Sequence, residues 1–339
     1  MAARSTRAPW VNSVHRPHIV AHRGASGYRP EHTLDAYRLA IALGADFIEP
    51  DLVVTADGVL VARHENELST STDVAARPEF AGRRTTKDVT GRAVTGWFVE
   101  DFTAAEVATL RATERFPDLR QRNVLYEGRS PVPTFAEVVD LARDEADRLG
   151  RPVGVYPETK LVGYFADLGL AHDEPLLADL ARAGPGVPVF IQSFESSSLR
   201  RLAGQVEVPL VQLLDATGPL DADRAADGRA HGDPTTPSGL TEVAGYADVI
   251  GVHKSLLIPR DQDGRLGEPS GLMDRARAAG LAVHAWTFRN ENAFLPAECR
   301  RGTDDSAFGD AFAEYEAFLR LGVDGLFTDF PDTALAACT

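Results

Sequence analysis

Eight short apolar runs, separated by helical stretches, constrain this chain more than any other feature. They are HIVAHRG (18–24), FIEPDLVVT (47–55), VGVYPETK (153–160), VFIQSF (189–194), PLVQLLD (209–215), DVIGVH (248–253), LAVHAWTF (281–288) and VDGLFTD (323–329). Near-continuous apolar runs belong to strands buried on both faces, as in a parallel sheet. The stretches between them carry helix signals. LDAYRLAIALGA reaches Gly44, GLMDRARAAG ends on Gly280 and DAFAEYEAFLRLG on Gly322, where glycine accepts the left-handed cap. TFAEVVDLARDEADRLG opens on Thr134 with Glu137 three residues later, a capping box. Strand and helix alternating eight times predict an α/β fold, a TIM (β/α)8 barrel. A doubly wound open sheet is the alternative.

One stretch breaks the alternation. Residues 65–131 are polar and rich in Arg, Thr and Gly, and only TAAEVATLRA looks helical there. A structureless loop of that length does not suit a compact domain, so the segment is expected to be a small inserted subdomain after strand 2. Residues 216–239, rich in Asp, Gly and Pro, read as a surface excursion. The domain reading is therefore an N-terminal extension at 1–17 and one barrel domain at 18–339.

Net charge is −15 over 339 residues. So acidic a surface lacks the basic footprint that nucleic acid requires, and it disfavours docking on anionic lipid. An anionic substrate would need a local positive island. No apolar run approaches the roughly 20 residues of a membrane span, so no stable membrane insertion is expected. The N-terminus is basic without an apolar core and is not a signal peptide as written, which reads as cytoplasmic; removal of a signal would make the protein periplasmic or secreted. Cys299 and Cys338 show no metal spacing, though one bridge between them is open. Oligomeric state is not legible.

In a barrel of this kind, functional side chains gather at the C-terminal strand ends. Those ends carry His22 and Arg23, then Glu49 and Asp51, then Glu158 and Lys160, with Gln192, Ser193, His284, Trp286 and Asp329 further on. The extension VLVARHEN (59–66) adds His64 and Glu65. Glu49 and Asp51 are two apart, hence on one face of a strand, as are Glu158 and Lys160. Three converging carboxylates repel unless a cation sits among them. Glu49, Asp51 and Glu158 offer hard oxygen ligands for Ca²⁺ or Mg²⁺. Arg23 and Lys160 suit a phosphate, and two histidines beside it suit acid and base. Metal-assisted phosphoryl transfer follows.

Each residue alone has a plainer explanation. Acid pairs can bridge to Arg or Lys around the rim, a strand-end histidine can be structural, and Trp286 can be packing. Asp329 can cap the turn at Pro331. Glu31 and Thr33 read as helix-start residues, with His32 as packing. His15, His18, His172, His231, His253 and His284 read as structural or surface. The coincidence of charged pairs on the first three strands favours the joint reading.

AHRGASGYRPEHTLDAY, ADFIEPDLVVTADGVLVARHEN, VYPETK and VDGLFTDFPD, in that order, resemble the glycerophosphodiester phosphodiesterase family, closest to its bacterial periplasmic type, over about residues 18–336. The resemblance implies a TIM barrel with an insertion after strand 2. It implies His22 and His64 as catalytic acid and base, Arg23 and Lys160 as phosphate contacts, and Glu49, Asp51 and Glu158 as metal ligands. Glu65 (where members often carry HD), Gln192 and Trp286 are candidates for the substrate pocket. The implied reaction is hydrolysis of small-molecule glycerophosphodiesters, such as glycerophosphocholine and glycerophosphoethanolamine, to sn-glycerol 3-phosphate and an alcohol. The implied cofactor is a divalent metal, Ca²⁺ first and Mg²⁺ second. The rivals are a lysophospholipase D or sphingomyelinase D-like activity on the same barrel, which would need an apolar acyl channel, and a non-catalytic phosphoester-binding barrel. A dinucleotide-dependent oxidoreductase is excluded by the absence of G-x-G-x-x-G after the first strand.

Overall fold

A computed structural model describes residues 16–184, 186–216 and 233–339. Most of the N-terminal extension, most of the 216–239 excursion, His15 and His231 lie outside the described residues. All eight apolar runs contain strands: β1 (His18–His22), β2 (Phe47–Glu49) with β3 (Asp51–Val54), β7 (Gly154–Val155) with β8 (Glu158–Thr159), β9 (Ile191–Ser193), β10 (Leu210–Leu214), β11 (Val249–His253), β12 (Ala282–Phe288) and β13 (Gly325–Thr328). Two runs are split at a proline, Pro50 and Pro157, because proline has no N–H to give to the ladder. The extension 59–66 does not continue the second strand. It folds back as β4 (Leu60–Ala62), antiparallel to β3 with Leu52 opposite Ala62.

The chain divides into two compact units. One comprises Ala21–Leu43 and Ile48–Pro188. Its longest helix, Phe135–Leu149, starts where Thr134 and Glu137 cap each other and stops at Gly150, with φ 64°. Phe135, Val138, Val139, Leu141 and Ala142 form the buried stripe of that helix. Each large apolar side chain so buried contributes roughly 1.5–3 kcal/mol. The second unit comprises the described residues up to Val20, Gly44–Phe47 and Val189–Thr339. There β9, β10, β11, β12 and β13 pair in parallel in that order. The helix Ala311–Leu321 lays Tyr315 flat against Phe288 of β12, with ring centroids 4.7 Å apart, and Tyr315 Oη bonds Thr328 Oγ1 at 2.7 Å.

The inserted segment is more ordered than its composition suggests. TAAEVATLRA holds only a four-residue helix, Ala104–Val107, and a second short helix is Gln121–Val124. A hairpin of β5 (Thr85–Val89) and β6 (Arg92–Gly96) closes through Thr90 and Gly91, both at positive φ. That is the turn favoured by strand twist, but with threonine at a position that usually advertises itself as Asn or Asp. Phe80, Phe98 and Phe102 give the insertion a buried apolar cluster of its own. Cys299 and Cys338 are both free thiols, so the possible bridge is not formed.

Candidate active site

The site is built within the unit Ala21–Leu43 and Ile48–Pro188 from four short pieces of chain. β3 and β8 run parallel with Asp51 directly beside Glu158, while Glu49 ends β2 just across Pro50. Their ligand atoms lie within 4.8 Å of one another, and all three residues are buried. The β3–β4 hairpin turns at Gly58 and returns until the Arg63 N–H donates to the Asp51 carbonyl at 2.8 Å. That delivers His64 and Glu65 to the same end of the strands.

The stretch after β1 supplies the cations' frame. His22 ends the strand, and its carbonyl accepts from Ser26 Oγ at 2.9 Å. Arg23 holds a left-handed backbone, φ 59°, unusual for a residue with a side chain and costing on the order of 1–3 kcal/mol. Glu49 fixes it there: the Arg23 N–H donates to Glu49 Oε2 at 2.8 Å. The turn continues through Gly24, φ 86°, where an added Cβ would lie 2.8 Å from the Ala36 backbone. The Arg23 guanidinium then lies 3.2 Å from Asp51 and 3.0 Å from Glu31. Lys160 lies 2.8 Å from Glu158 and 3.7 Å from Asp51.

Two assignments made from the sequence change here. Thr33 is the N-cap of the helix Leu34–Ala42, as expected, but Glu31 is not a helix-start residue. It faces Arg23 at 3.0 Å and also takes Arg115 at 2.7 Å, so two cations rather than the helix backbone claim its carboxylate. His32 is not packing either: its Nε2 bonds Asp51 Oδ2 at 2.9 Å and its Nδ1 bonds Tyr37 Oη at 2.8 Å. Arg115 had no sequence signal at all. In the other unit, Asp329 Oδ2 accepts from Arg289 Nε at 2.7 Å, just before the helix Pro331–Ala337. Gln192, in β9, and Trp286, in β12, also belong to that unit, where Trp286 stands edge-on to His253 and Phe194 at 5.0 and 5.9 Å.

The electrostatics follow from the crowding. At such separations each carboxylate pair repels by on the order of 3–4 kcal/mol at an effective dielectric near 20. Burial, then Asp51 and Glu158, push the Glu49 carboxyl well up. Burial and Asp51 carry Glu158 up to about 8 against the pull of Lys160. Burial alone would raise Asp51, but Lys160, His64 and Arg23, with the bond from His32, hold it well below the usual range. His64 is pushed down to about 3 by burial, then by Arg23 and Lys160. Its side chain keeps 31% exposure, so solvent screens part of that push, and the downward direction sets the chemistry. Glu65 is held well below the usual carboxylate range: bonds from His64 and Arg115 overcome its burial.

Among the described residues, acids outnumber cations in this cluster: Arg23, Lys160 and Arg115 pair with Glu31, Asp51, Glu65 and Glu158, the buried Arg63 lies near Glu31 and Glu65, and Glu49 completes the carboxylate triad. Protons on Glu49 and Glu158 would relieve the excess. A divalent cation among Glu49, Asp51 and Glu158 would do the same, and an all-oxygen donor set suits a hard ion.

Residues 22–333 match the family model for the glycerophosphoryl diester phosphodiesterase family. The chain belongs to that family. It is 36% identical to the glycerophosphodiester phosphodiesterase GDPD6 of Arabidopsis thaliana, over 97% of this chain and 87% of that one. It is 31% identical to a glycerophosphodiester phosphodiesterase of Haemophilus influenzae, over 94% and 88%. A phosphodiesterase from Oleispira antarctica, solved with the product sn-glycerol-3-phosphate, has the same fold at TM-score 0.60 and 18% identity, over 95% of this chain and 96% of that one. The protein is thus a glycerophosphodiester phosphodiesterase on a TIM-like barrel, and the open-sheet alternative falls. Among the described residues, no helix of this enzyme is long and apolar enough to cross a membrane.

Proposed function

We propose that this phosphodiesterase hydrolyses small glycerophosphodiesters, such as glycerophosphocholine and glycerophosphoethanolamine, to sn-glycerol 3-phosphate and an alcohol. In this reading residues 18–339 act as one catalytic domain. The observation that carries it is the buried triad Glu49, Asp51 and Glu158, whose ligand atoms lie within 4.8 Å of one another, beside Arg23 and Lys160. The triad would hold one divalent cation, Ca²⁺ or Mg²⁺. Such an ion, when bound, supplies Lewis-acid stabilisation of the phosphoryl oxygens.

The chain's own groups do the rest. Arg23 and Lys160 neutralise charge that grows on the phosphate oxygens. In this scheme His64 is the base. Its Nδ1 lies 2.6 Å from an ionised Glu65, so Nδ1 carries the proton and Nε2 keeps the lone pair. His64 takes the proton of the nucleophile, which is water, or the neighbouring glycerol hydroxyl, in which case a cyclic phosphate forms and water then opens it to sn-glycerol 3-phosphate. His22 gives a proton to the departing alkoxide as the P–O bond breaks.

The test is release of sn-glycerol 3-phosphate from glycerophosphocholine, with and without divalent metal, beside lysophospholipid and sphingomyelin. His22→Ala and His64→Ala should each lose on the order of 100- to 10,000-fold in kcat while remaining folded. Normal turnover by either variant would end the two-histidine scheme. Full activity in excess EDTA, with no metal retained, would end the metal assignment.

A further inference from the structure

Arg115 lies in the inserted segment, 84 residues along the chain from Glu31 and 50 from Glu65. Its Nε and Nη2 donate to Glu31 Oε1 at 2.9 and 2.7 Å. Its Nη1 donates to Glu65 Oε1 at 2.9 Å, and its Nη2 also donates to Glu65 Oε2. Behind each carboxylate stands a group of the site. Glu31 Oε2 accepts from Arg23 Nη1 at 3.0 Å, and Glu65 Oε1 accepts from His64 Nδ1 at 2.6 Å. One guanidinium therefore joins the two acids that orient the phosphate-facing arginine and the imidazole.

We infer that Arg115 is a positioning residue for the phosphodiester reaction, through which the insertion sets the geometry of Arg23 and His64. The inference rests on the roles proposed above for those two residues. Only a planar fork with five donors can bridge two carboxylates in this way; the point charge of a lysine cannot. Without the bridge, Glu65, with a side chain 32% exposed, is free to turn towards water, and its grip on His64 Nδ1 loosens. The imidazole then loses its fixed tautomer, and with it the lone pair at Nε2.

Arg115 is not needed to dock the insertion. Arg120 Nη1 and Asn123 Nδ2 each donate to the Ser26 carbonyl at 3.0 Å, the Ala104 N–H donates to Asp57 Oδ1 at 2.9 Å, and Ser130 Oγ donates to Asp35 Oδ2 at 2.6 Å. Glu114, next in the chain, bonds Asn123 Nδ2 at 2.8 Å and the Phe116 N–H at 2.9 Å. The bonds to Ser26, Asp57 and Asp35 tie the segment to the rest of its unit without using Arg115.

The experiment compares the full-length enzyme with Arg115→Met and Arg115→Lys under saturating divalent metal. Both variants should keep the wild-type circular dichroism spectrum. Arg115→Met should lose on the order of 10- to 100-fold in kcat, as expected for an orienting partner, with KM changed little. Millimolar guanidinium should restore part of that rate, while Arg115→Lys should remain low. Nitrogen NMR of labelled histidine should show His64 protonated on Nδ1 in the wild type and as a mixture of tautomers in both variants. A wild-type kcat in Arg115→Met would overturn the inference. So would a loss of rate that guanidinium leaves untouched and the His64 tautomer does not follow. If Arg115→Met does not fold, Arg115→Lys with the same NMR readout decides. His64→Ala runs alongside: normal turnover there would sink the histidine scheme itself, whereas a dead His64→Ala beside a normal Arg115→Met would sink only the role of Arg115.

Discussion

Glu158 sits where an ordinary carboxylate is least at home, buried beside Asp51 and paired with Lys160. A carboxyl raised to about 8 from the ordinary 4.5 binds its proton more tightly folded than unfolded. Its contribution to stability is therefore fully present below pH 4.5 and is lost as the pH rises through 8. Glu158→Gln is neutral at every pH. In metal-free protein, the melting temperature of Glu158→Gln minus that of the wild type should climb steadily from pH 5 to pH 9. Adding divalent metal should reverse the order, because the wild type keeps a ligand that the variant lacks. Calorimetry checks both halves, and a difference flat with pH would show that the carboxylates are not crowded. His64 moves the other way in both proteins. Lowered to about 3, it costs stability as the pH falls from 6.5, and it cancels in the comparison. The sequence disclosed these residues because they come as dipeptides or as i, i+2 pairs at strand ends, where position implies direction. It hid Glu31 and Arg115, since a bond across 84 residues leaves no local trace. Helix-start context even pointed Glu31 elsewhere.

At the scale of elements, the strands were legible because burial on both faces writes itself as continuous apolar sequence. The reversal of β4 was not, although Gly58 marks the turn: 59–66 is apolar enough to pass for more of the second strand. The hairpin at Thr90 was hidden for a related reason, a β-branched residue in a left-handed turn. The loop after β1 gives a test of how tightly an element can be specified. Gly24→Ala places a Cβ 2.8 Å from the Ala36 backbone at φ 86°. The left-handed conformation alone costs roughly 1–2 kcal/mol, and the clash adds to it. The urea midpoint should fall accordingly, and kcat should fall further than folded fraction, because Arg23 is the preceding residue. Phe135→Ala makes the contrasting case. It should cost about 3–5 kcal/mol by emptying the first buried position of the helix Phe135–Leu149, yet leave kcat of the folded fraction unchanged. Equal activity losses for the two variants, at matched folded fraction, would contradict this division between loop and core.

For the whole molecule, the net charge of −15 sets a field that every phosphodiester must cross before it meets Arg23 and Lys160. If Arg23 and Lys160 hold the phosphate, as proposed, near contact they attract any substrate alike. At longer range the substrate's net charge decides. Glycerophosphocholine is a zwitterion, whereas glycerophosphoglycerol carries one uncompensated negative charge, so the acidic surface opposes only the second. Salt shortens that reach: the Debye length is about 30 Å at 0.01 M and about 8 Å at 0.15 M. Raising NaCl across that range also weakens the local attraction, but equally for both substrates. The ratio of kcat/KM for glycerophosphoglycerol to that for glycerophosphocholine should therefore rise with salt, by a few-fold at most for a single charge. Taking the ratio removes salt effects on the metal and on the assay, which both substrates share. A ratio that falls would mean that a positive island extends well beyond Arg23 and Lys160 and overrides the net charge. A ratio that holds steady would confine the acidic residues to faces remote from the path of entry.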